Sequence, residues 1–330
     1  MLIDGERTRN YDEGRARVQM KRREFMASGA AAALVCAIRG RAANVKQFKL
    51  GVITDEVTQN FEEALLWAKA FGLEWVELRF VWDKYVTEFT ADDVKRAKDL
   101  LAKHGMKVSV VDSPYFKTLL PGTLSKFAEG KPDPLQSSFS QQEALLERAI
   151  ARANDFAADK VRIFSFLRVA EPKTVFDRVA KELERTAAIA QKEGIRLVLE
   201  NEFSCNVATG AEGAGMLSAV KSPALGLNWD PGNAYDAGET PFPNGYEALD
   251  KKRMWHMHLK DAAPASKGGE TQWMPIGSGK IDFLGQFRAL IKNGYEGTMS
   301  LETHYLNAAK NKESSSRESM EGLLRVMHEA

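Results

Sequence analysis

From residue 48 onward the chain alternates two hydrophobic rhythms. Short apolar runs at Phe48–Thr54, Leu73–Phe80, Met106–Val111, Val161–Phe166, Ile195–Glu200, Leu225–Asp230, Met254–Lys260 and Gly297–Glu302 read as strands. Between and after them, apolar positions recur with a helical period over 61–71, 91–104, 142–157, 174–192, 211–220, 246–252, 283–292 and 317–329. Thr90 is placed to cap the second of these helices and Gly105 to end it; Gly194 and Asn293-Gly294 stop two others. Eight strand-then-helix units with short connections predict a (β/α)8 TIM barrel. A doubly wound open sheet is the runner-up, but no Gly-x-Gly-x-x-Gly follows the first strand. One connection is long, Ser113 to Ser140, with aromatics at Tyr115, Phe116, Phe127 and Phe139, and it is expected to act as a lid.

The seventh strand, Met254-Trp255-His256-Met257-His258-Leu259-Lys260, breaks the usual rule for a core strand. Alternation puts Trp255, Met257 and Leu259 on one face and two imidazoles and an ammonium on the other. That suits the inner wall of a barrel whose mouth holds a metal or an anionic substrate. Three further strands run apolar and then stop on a carboxylate: Glu200, Asp230 and Glu302. Barrel chemistry sits at the C-terminal strand ends. Three carboxylates converging there would repel one another, and a divalent cation removes that cost. With His258 they form a set suited to one divalent ion, Mn²⁺ first, with Mg²⁺, Co²⁺ or Zn²⁺ as alternatives. The wider inward polar set is Glu77, Arg79, Asn201, Asn233, Lys260 and His304, with Trp273 on a polar, Gly-rich loop as a lid contact.

Four features together resemble the sugar phosphate isomerase/epimerase family of xylose isomerase-like barrels over roughly Lys49 to Glu329. They are Glu200-Asn201, Gly226-Leu-Asn-Trp-Asp230, His256-Met-His-Leu-Lys-Asp261 and Ser300-Leu-Glu302; the Pro275-Ile-Gly-Ser-Gly279 stretch and Gly294-Tyr-Glu-Gly297 are similar too. The resemblance implies that Glu200, Asp230, His258 and Glu302 bind one divalent metal, and that Glu200 and Glu302 move protons at a carbon beside a carbonyl. Family members often carry a histidine where this chain has Asn233, which cannot accept a proton near neutral pH. His256 or His304 would then stand in.

Residues 1–45 read differently. A charged stretch to residue 19 leads into Met20-Lys-Arg-Arg-Glu-Phe-Met26, then an Ala-rich apolar segment to Ile38. This reads as a leader and twin-arginine signal peptide, with Met20 an alternative start, and it is too short for a span. It predicts an exported, periplasmic protein without a stable membrane anchor; a cytoplasmic protein with an N-terminal helix is the alternative. Lys plus Arg (46) nearly balances Asp plus Glu (45), so no nucleic-acid partner is expected. Only five histidines and two cysteines argue against a multi-metal endonuclease and a Cys/His zinc finger; Cys205 reads as inert.

The leading expectation is thus a metal-dependent isomerase or epimerase of a sugar or keto-sugar, acting through an enediolate. A dehydratase or lyase on a keto-sugar or 3-keto-glycoside, with Lys260 or a histidine as acid, uses the same site. An exported non-catalytic carbohydrate-binding barrel is the third reading.

Overall fold

The computed structural model describes residues 48–128, 138–265 and 271–330; the leader and signal reading lies outside them. Eight strands, β1 (Lys49–Val52), β2 (Trp75–Leu78), β3 (Lys107–Asp112), β4 (Lys160–Ile163), β5 (Arg196–Glu200), β6 (Leu225–Trp229), β7 (Met254–Leu259) and β8 (Thr298–Leu301), pair in parallel in the order β1-β8-β7-β6-β5-β4-β3-β2. A parallel bridge between Ile53 and Glu77 brings the two ends together. The sheet is a (β/α)8 TIM barrel, and the open doubly wound alternative falls with that closure.

Besides single turns at Thr54–Val57 and Tyr246–Ala248, the helices among the described residues are α1 (Phe61–Ala70), α2 (Ala91–His104), α3 (Gln142–Asp155), α4 (Phe176–Lys192), α5 (Gly210–Ala219), α6 (Pro231–Asp236), α7 (Phe283–Lys292) and α8 (Lys312–Glu329). Their ends follow local chemistry. Thr90 and Asp93 form a capping box at α2, and Gly105 ends it at φ 66°, a left-handed turn that glycine adopts without strain. Leu197, Leu199, Leu225, Leu227, Met257, Leu259, Met299 and Leu301 are all sealed in the layer between strands and helices. Each contributes on the order of 1.5–3 kcal/mol of burial free energy. At Gly226 an added Cβ would stand 2.5 Å from the Arg253 carbonyl and 2.4 Å from the Trp255 ring, so β6 can approach β7 there only without a side chain.

Three expectations are corrected. The helix read over 246–252 is a single turn, Tyr246–Ala248, followed by a 3-10 turn at Lys251–Arg253. The last helix begins at Lys312 rather than Arg317, because Asn311 accepts from the Ser314 N–H and caps it. Tyr115 and Phe116, assigned to a lid, are fully buried; the Phe116 ring stacks on Phe166 at 4.0 Å. Two elements were not read from the sequence: α6, although Asp230-Pro231 is a helix-start pair, and the hairpin of Asp261–Pro264 with Thr271–Met274.

Candidate active site

Neighbouring strands β5 to β8 each deliver one acidic or imidazole group to the C-terminal mouth. Glu200 ends β5, Asp230 follows β6, His258 is next to last in β7 and Glu302 follows β8. One ligand-type atom from each lies within 4.8 Å of all the others, and all four side chains are buried. Asp230 is also the N-cap of α6: its Oδ1 accepts from the Asn233 N–H at 2.9 Å, and Pro231 takes the first helical position.

The orientation of His258 decides what the cluster can hold. Its Nδ1 lies 3.1 Å from Glu302 Oε2, 3.3 Å from Glu200 Oε1 and 3.8 Å from Asp230 Oδ2, yet makes no hydrogen bond. Its Nε2 faces Glu77 Oε1 at 3.0 Å and the side-chain amide of Asn228 at 3.1 Å. An Nε2–H donated to that carboxylate leaves the Nδ1 lone pair aimed among three carboxylates. Glu77 Oε2 takes Nε2 of His256 at 2.8 Å, and His256 Nδ1 meets the Thr298 hydroxyl at 2.6 Å. A buried nitrogen without a hydrogen bond, surrounded by oxygen ligands and oriented by a carboxylate behind it, fits a divalent ion.

Burial alone would raise every carboxylate here. At Glu200 it is outweighed by His258 and Arg162, which hold the group at about 2. At Glu302, Lys260, His304 and His258 outweigh it and hold the group well below the usual range. At Asp230 burial wins over Lys260, and the carboxyl is pushed up to about 6. Burial opposes the charge on His258, but Glu77 and Glu200 raise it well above its ordinary value. That proton must leave for Nδ1 to act as a ligand.

The remaining candidates separate into those that face the mouth and those that build it. Arg79 reaches the site, donating to Glu302 Oε1, to Glu56 at 2.7 Å and to Asp55 at 2.9 Å. His304, more than a third exposed, lies 3.3 Å from Glu302 Oε1, with Trp273 edge-on at 5.5 Å. Glu77 and His256 do not line the cavity at the mouth: both are wholly buried and spend their polar atoms on each other, His258 and Thr298. The Asn201 amide clamps the Asp230 backbone, donating to the carbonyl and accepting from the N–H, each at 2.8 Å, and so fixes the loop after β6. Asn233 donates to Glu200 at 3.0 Å and lies 3.1 Å from Asp230 Oδ2, so it too braces carboxylates. Lys260 Nζ sits 2.8 Å from both Asp230 and Glu302, buried, with its proton held more tightly still by those two groups against the effect of burial. It is placed to neutralise charge and poorly placed to donate a proton. Cys205 is buried, and burial pushes its thiol up to about 12.

Sequence reading missed Arg162, Asp112 and the Asp55-Glu56 pair. Arg162 bridges Glu200 at 2.9 Å and Asp112 at 3.0 Å from the interior of β4. The signals were present: Val110-Val111-Asp112 is another apolar run ending in a carboxylate, and Lys160-Val161-Arg162 alternates charge into the barrel.

These groups border a cavity of about 310 Å³ whose walls include Arg79, Lys117, Arg162, Glu200, Glu302 and His304, with Phe80, Tyr85 and Phe164 as apolar or aromatic faces. His304 also borders a wider cleft of about 1210 Å³ that Phe127, Arg168, Phe203 and Trp273 help to line. Small, polar and ringed by charge, the inner space suits a hydroxylated molecule near the lower size limit of ligand pockets.

The family model for xylose isomerase-like TIM barrels matches residues 65–326, and the chain belongs to that family. It is 29% identical over 148 residues to an uncharacterised protein of Methanocaldococcus jannaschii, covering 42% of this chain and 47% of that one. Over 139 residues it is 28% identical to an inosose dehydratase of Clostridium botulinum, covering 38% and 45%. The chain thus spans about half the length of the curated relatives it matches. Among solved structures, the IolI protein with a bound zinc atom aligns with a TM-score of 0.66 at 16% identity, covering 84% of this chain and 97% of that one. D-psicose 3-epimerase of Clostridium cellulolyticum H10, with D-tagatose, aligns with a TM-score of 0.62 at 14% identity, covering 85% and 99%. At such identities the structures attest the fold. Among the described residues no helix is long and apolar enough to cross a membrane.

Proposed function

We propose that the protein is a divalent-metal-dependent isomerase or epimerase of a sugar or keto-sugar, with Glu200, Asp230, His258 and Glu302 holding the ion. The observation that carries this reading is His258 Nδ1, buried without a hydrogen bond among three carboxylates beside a sugar-sized cavity. Mn²⁺ is the first choice of ion, and the zinc atom of the IolI structure keeps Zn²⁺ in view. The ion would supply a Lewis acid that polarises a carbonyl and its neighbouring hydroxyl.

The protein's own groups do the rest. Glu200 and Glu302 are both ionised and can accept a proton. One removes the proton from the carbon beside the carbonyl, whose C–H electrons pass into an enediolate. The other returns a proton at the adjacent carbon or the opposite face. Arg79 and Arg162, which share the cavity wall with them, hold Glu302 and Glu200 in place through ion pairs. Phe80 and Phe164 narrow the water-accessible space around them.

Elimination is the second reading, supported by the inosose dehydratase among the relatives. The same proton abstraction would then expel a β-hydroxyl or a glycosidic oxygen. Lys260 holds its proton too firmly for the acid's role, which falls to His304 at the cavity rim. The wider cleft beyond His304 gives room for a glycosidic partner. A purely carbohydrate-binding barrel is disfavoured because all four ligand residues and both ionised glutamates are present.

The test is a deuterium-exchange screen of keto-sugars and inososes in deuterated water with Mn²⁺ supplied. Deuterium entering a carbon beside the carbonyl supports the reading, and loss of a hydroxyl identifies the eliminating branch. No exchange across a broad panel returns the protein to the binding class. Export through the twin-arginine route belongs to the same proposal and rests on residues 20–45; a reporter fused to that segment and retained in the cytoplasm would refute it.

A further inference from the structure

The opposite, N-terminal end of the barrel contains a second cavity, of about 640 Å³, far along the strands from the carboxylate cluster. Its wall is cationic. Lys49, Lys160 and Arg196 begin β1, β4 and β5, and Lys252 stands at the rim. Lys160 has a side chain more than nine-tenths buried. Among the described residues Asp159 alone serves both Lys160, at 2.6 Å, and Arg196. The other acidic residue of the rim, Glu296, offers Lys49 only its backbone carbonyl, at 3.1 Å. Positive charge is therefore in excess, and it is felt: burial depresses the Lys160 ammonium first, and Arg196 and Lys49 depress it further despite Asp159. Trp75 and Trp255 add flat apolar walls, with the Arg196 guanidinium 5.2 Å from the Trp255 ring. A cationic face normally stays solvated, but a nearly sealed lysine in a concave site gains most from an anion.

We propose that this lower cavity binds a small organic oxyanion, a phosphate or carboxylate head held by Lys160, Arg196 and Lys49 with its body against Trp75 and Trp255. The site is separate from the metal cluster and does not depend on the reaction assigned there.

The full chain, supplied with Mg²⁺, would be titrated by calorimetry with inorganic phosphate, glucose 6-phosphate and glucuronate. Saturable binding of at least one is expected, and the tighter arm identifies the head group. Lys160→Met and Arg196→Gln should each weaken it about tenfold or more, the equivalent of one charge-assisted hydrogen bond. His258→Ala, at the other mouth, should leave the affinity unchanged. If Lys160→Met fails to fold, the exposed-rim pair Lys49→Ala with Lys252→Ala carries the same expected loss. Absence of saturable binding in all three arms overturns the proposal. So does binding that disappears in His258→Ala and survives in the lower-cavity variants.

Discussion

Glu77 Oε1 meets His258 Nε2 at 3.0 Å, and the other nitrogen of that ring is left without a hydrogen bond among Glu200, Asp230 and Glu302. The carboxylate of the second strand thus sets which face of a seventh-strand imidazole is free to bind. The relationship spans the barrel, 181 residues apart in sequence.

Glu77→Gln should therefore weaken metal binding without touching a ligand. A glutamine offers one acceptor where two imidazoles now donate, so the ring loses its fixed tautomer. Losses of about 10–100-fold in metal affinity are typical for such supporting groups. Competition against a chromophoric chelator measures the change; an unaltered affinity would remove Glu77 from the site.

Removing a ligand should be more severe. Purified wild-type protein is expected to carry one divalent ion per chain, and His258→Ala or Glu200→Gln to carry almost none by elemental analysis. Substrate proton exchange in Glu200→Gln should fall about 10²–10⁴-fold if that carboxylate moves the proton. Exchange at the wild-type rate would exclude Glu200 as the base.

Acid should release the metal over a defined window. Burial pushes the Asp230 carboxyl up to about 6, and Glu77 and Glu200 raise His258 well above its ordinary value against the pull of burial. Both must be unprotonated to bind, so the ion competes with protons. Above about pH 6, Asp230 is already ionised and only the His258 proton is displaced. Below it, Asp230 binds a proton too, and affinity should fall more steeply, by about another tenfold per pH unit for each added proton. Calorimetry in buffers of different ionisation enthalpy would count the protons released. A flat affinity between pH 5 and 7 contradicts this picture.

Gly232→Ala tests how closely the ligand loop must approach β7. A Cβ there would lie 2.9 Å from the Lys260 carbonyl, 2.3 Å from Lys260 Cγ and 3.2 Å from Asp230 Oδ1. The backbone carbonyl cannot move aside, so the loop must shift and carry Asp230 with it. The expected result is a loss of about 1–3 kcal/mol in urea unfolding together with weaker metal binding. Unchanged values for both would show that the loop has slack.

Arg79→Met should destabilise the fold by about 3–5 kcal/mol, because Asp55, Glu56 and Glu302 lose their shared, largely buried cation. Urea titration with metal present and absent separates the two roles. A loss confined to the metal-free protein would show that the ion can replace the guanidinium as countercharge.

The alternation of apolar and polar positions determined most of the barrel, because strand and helix periods are local properties of the chain. It also marked Glu200, Asp230, His258 and Glu302, since a carboxylate or imidazole closing an apolar run falls at a strand's C-terminal end. What it could not assign was the division of labour behind them. Glu77, His256 and Asn201 look like any inward polar residue in sequence, and only closure of the sheet showed that they face one another, His258 and the Asp230 backbone rather than the mouth. Arg162 and Asp55 were passed over for the same reason: their importance lies in the groups they meet across the barrel. Side-chain phase is written into a few neighbouring residues, whereas hydrogen-bond partnership depends on strand order and register, which join residues far apart in the chain.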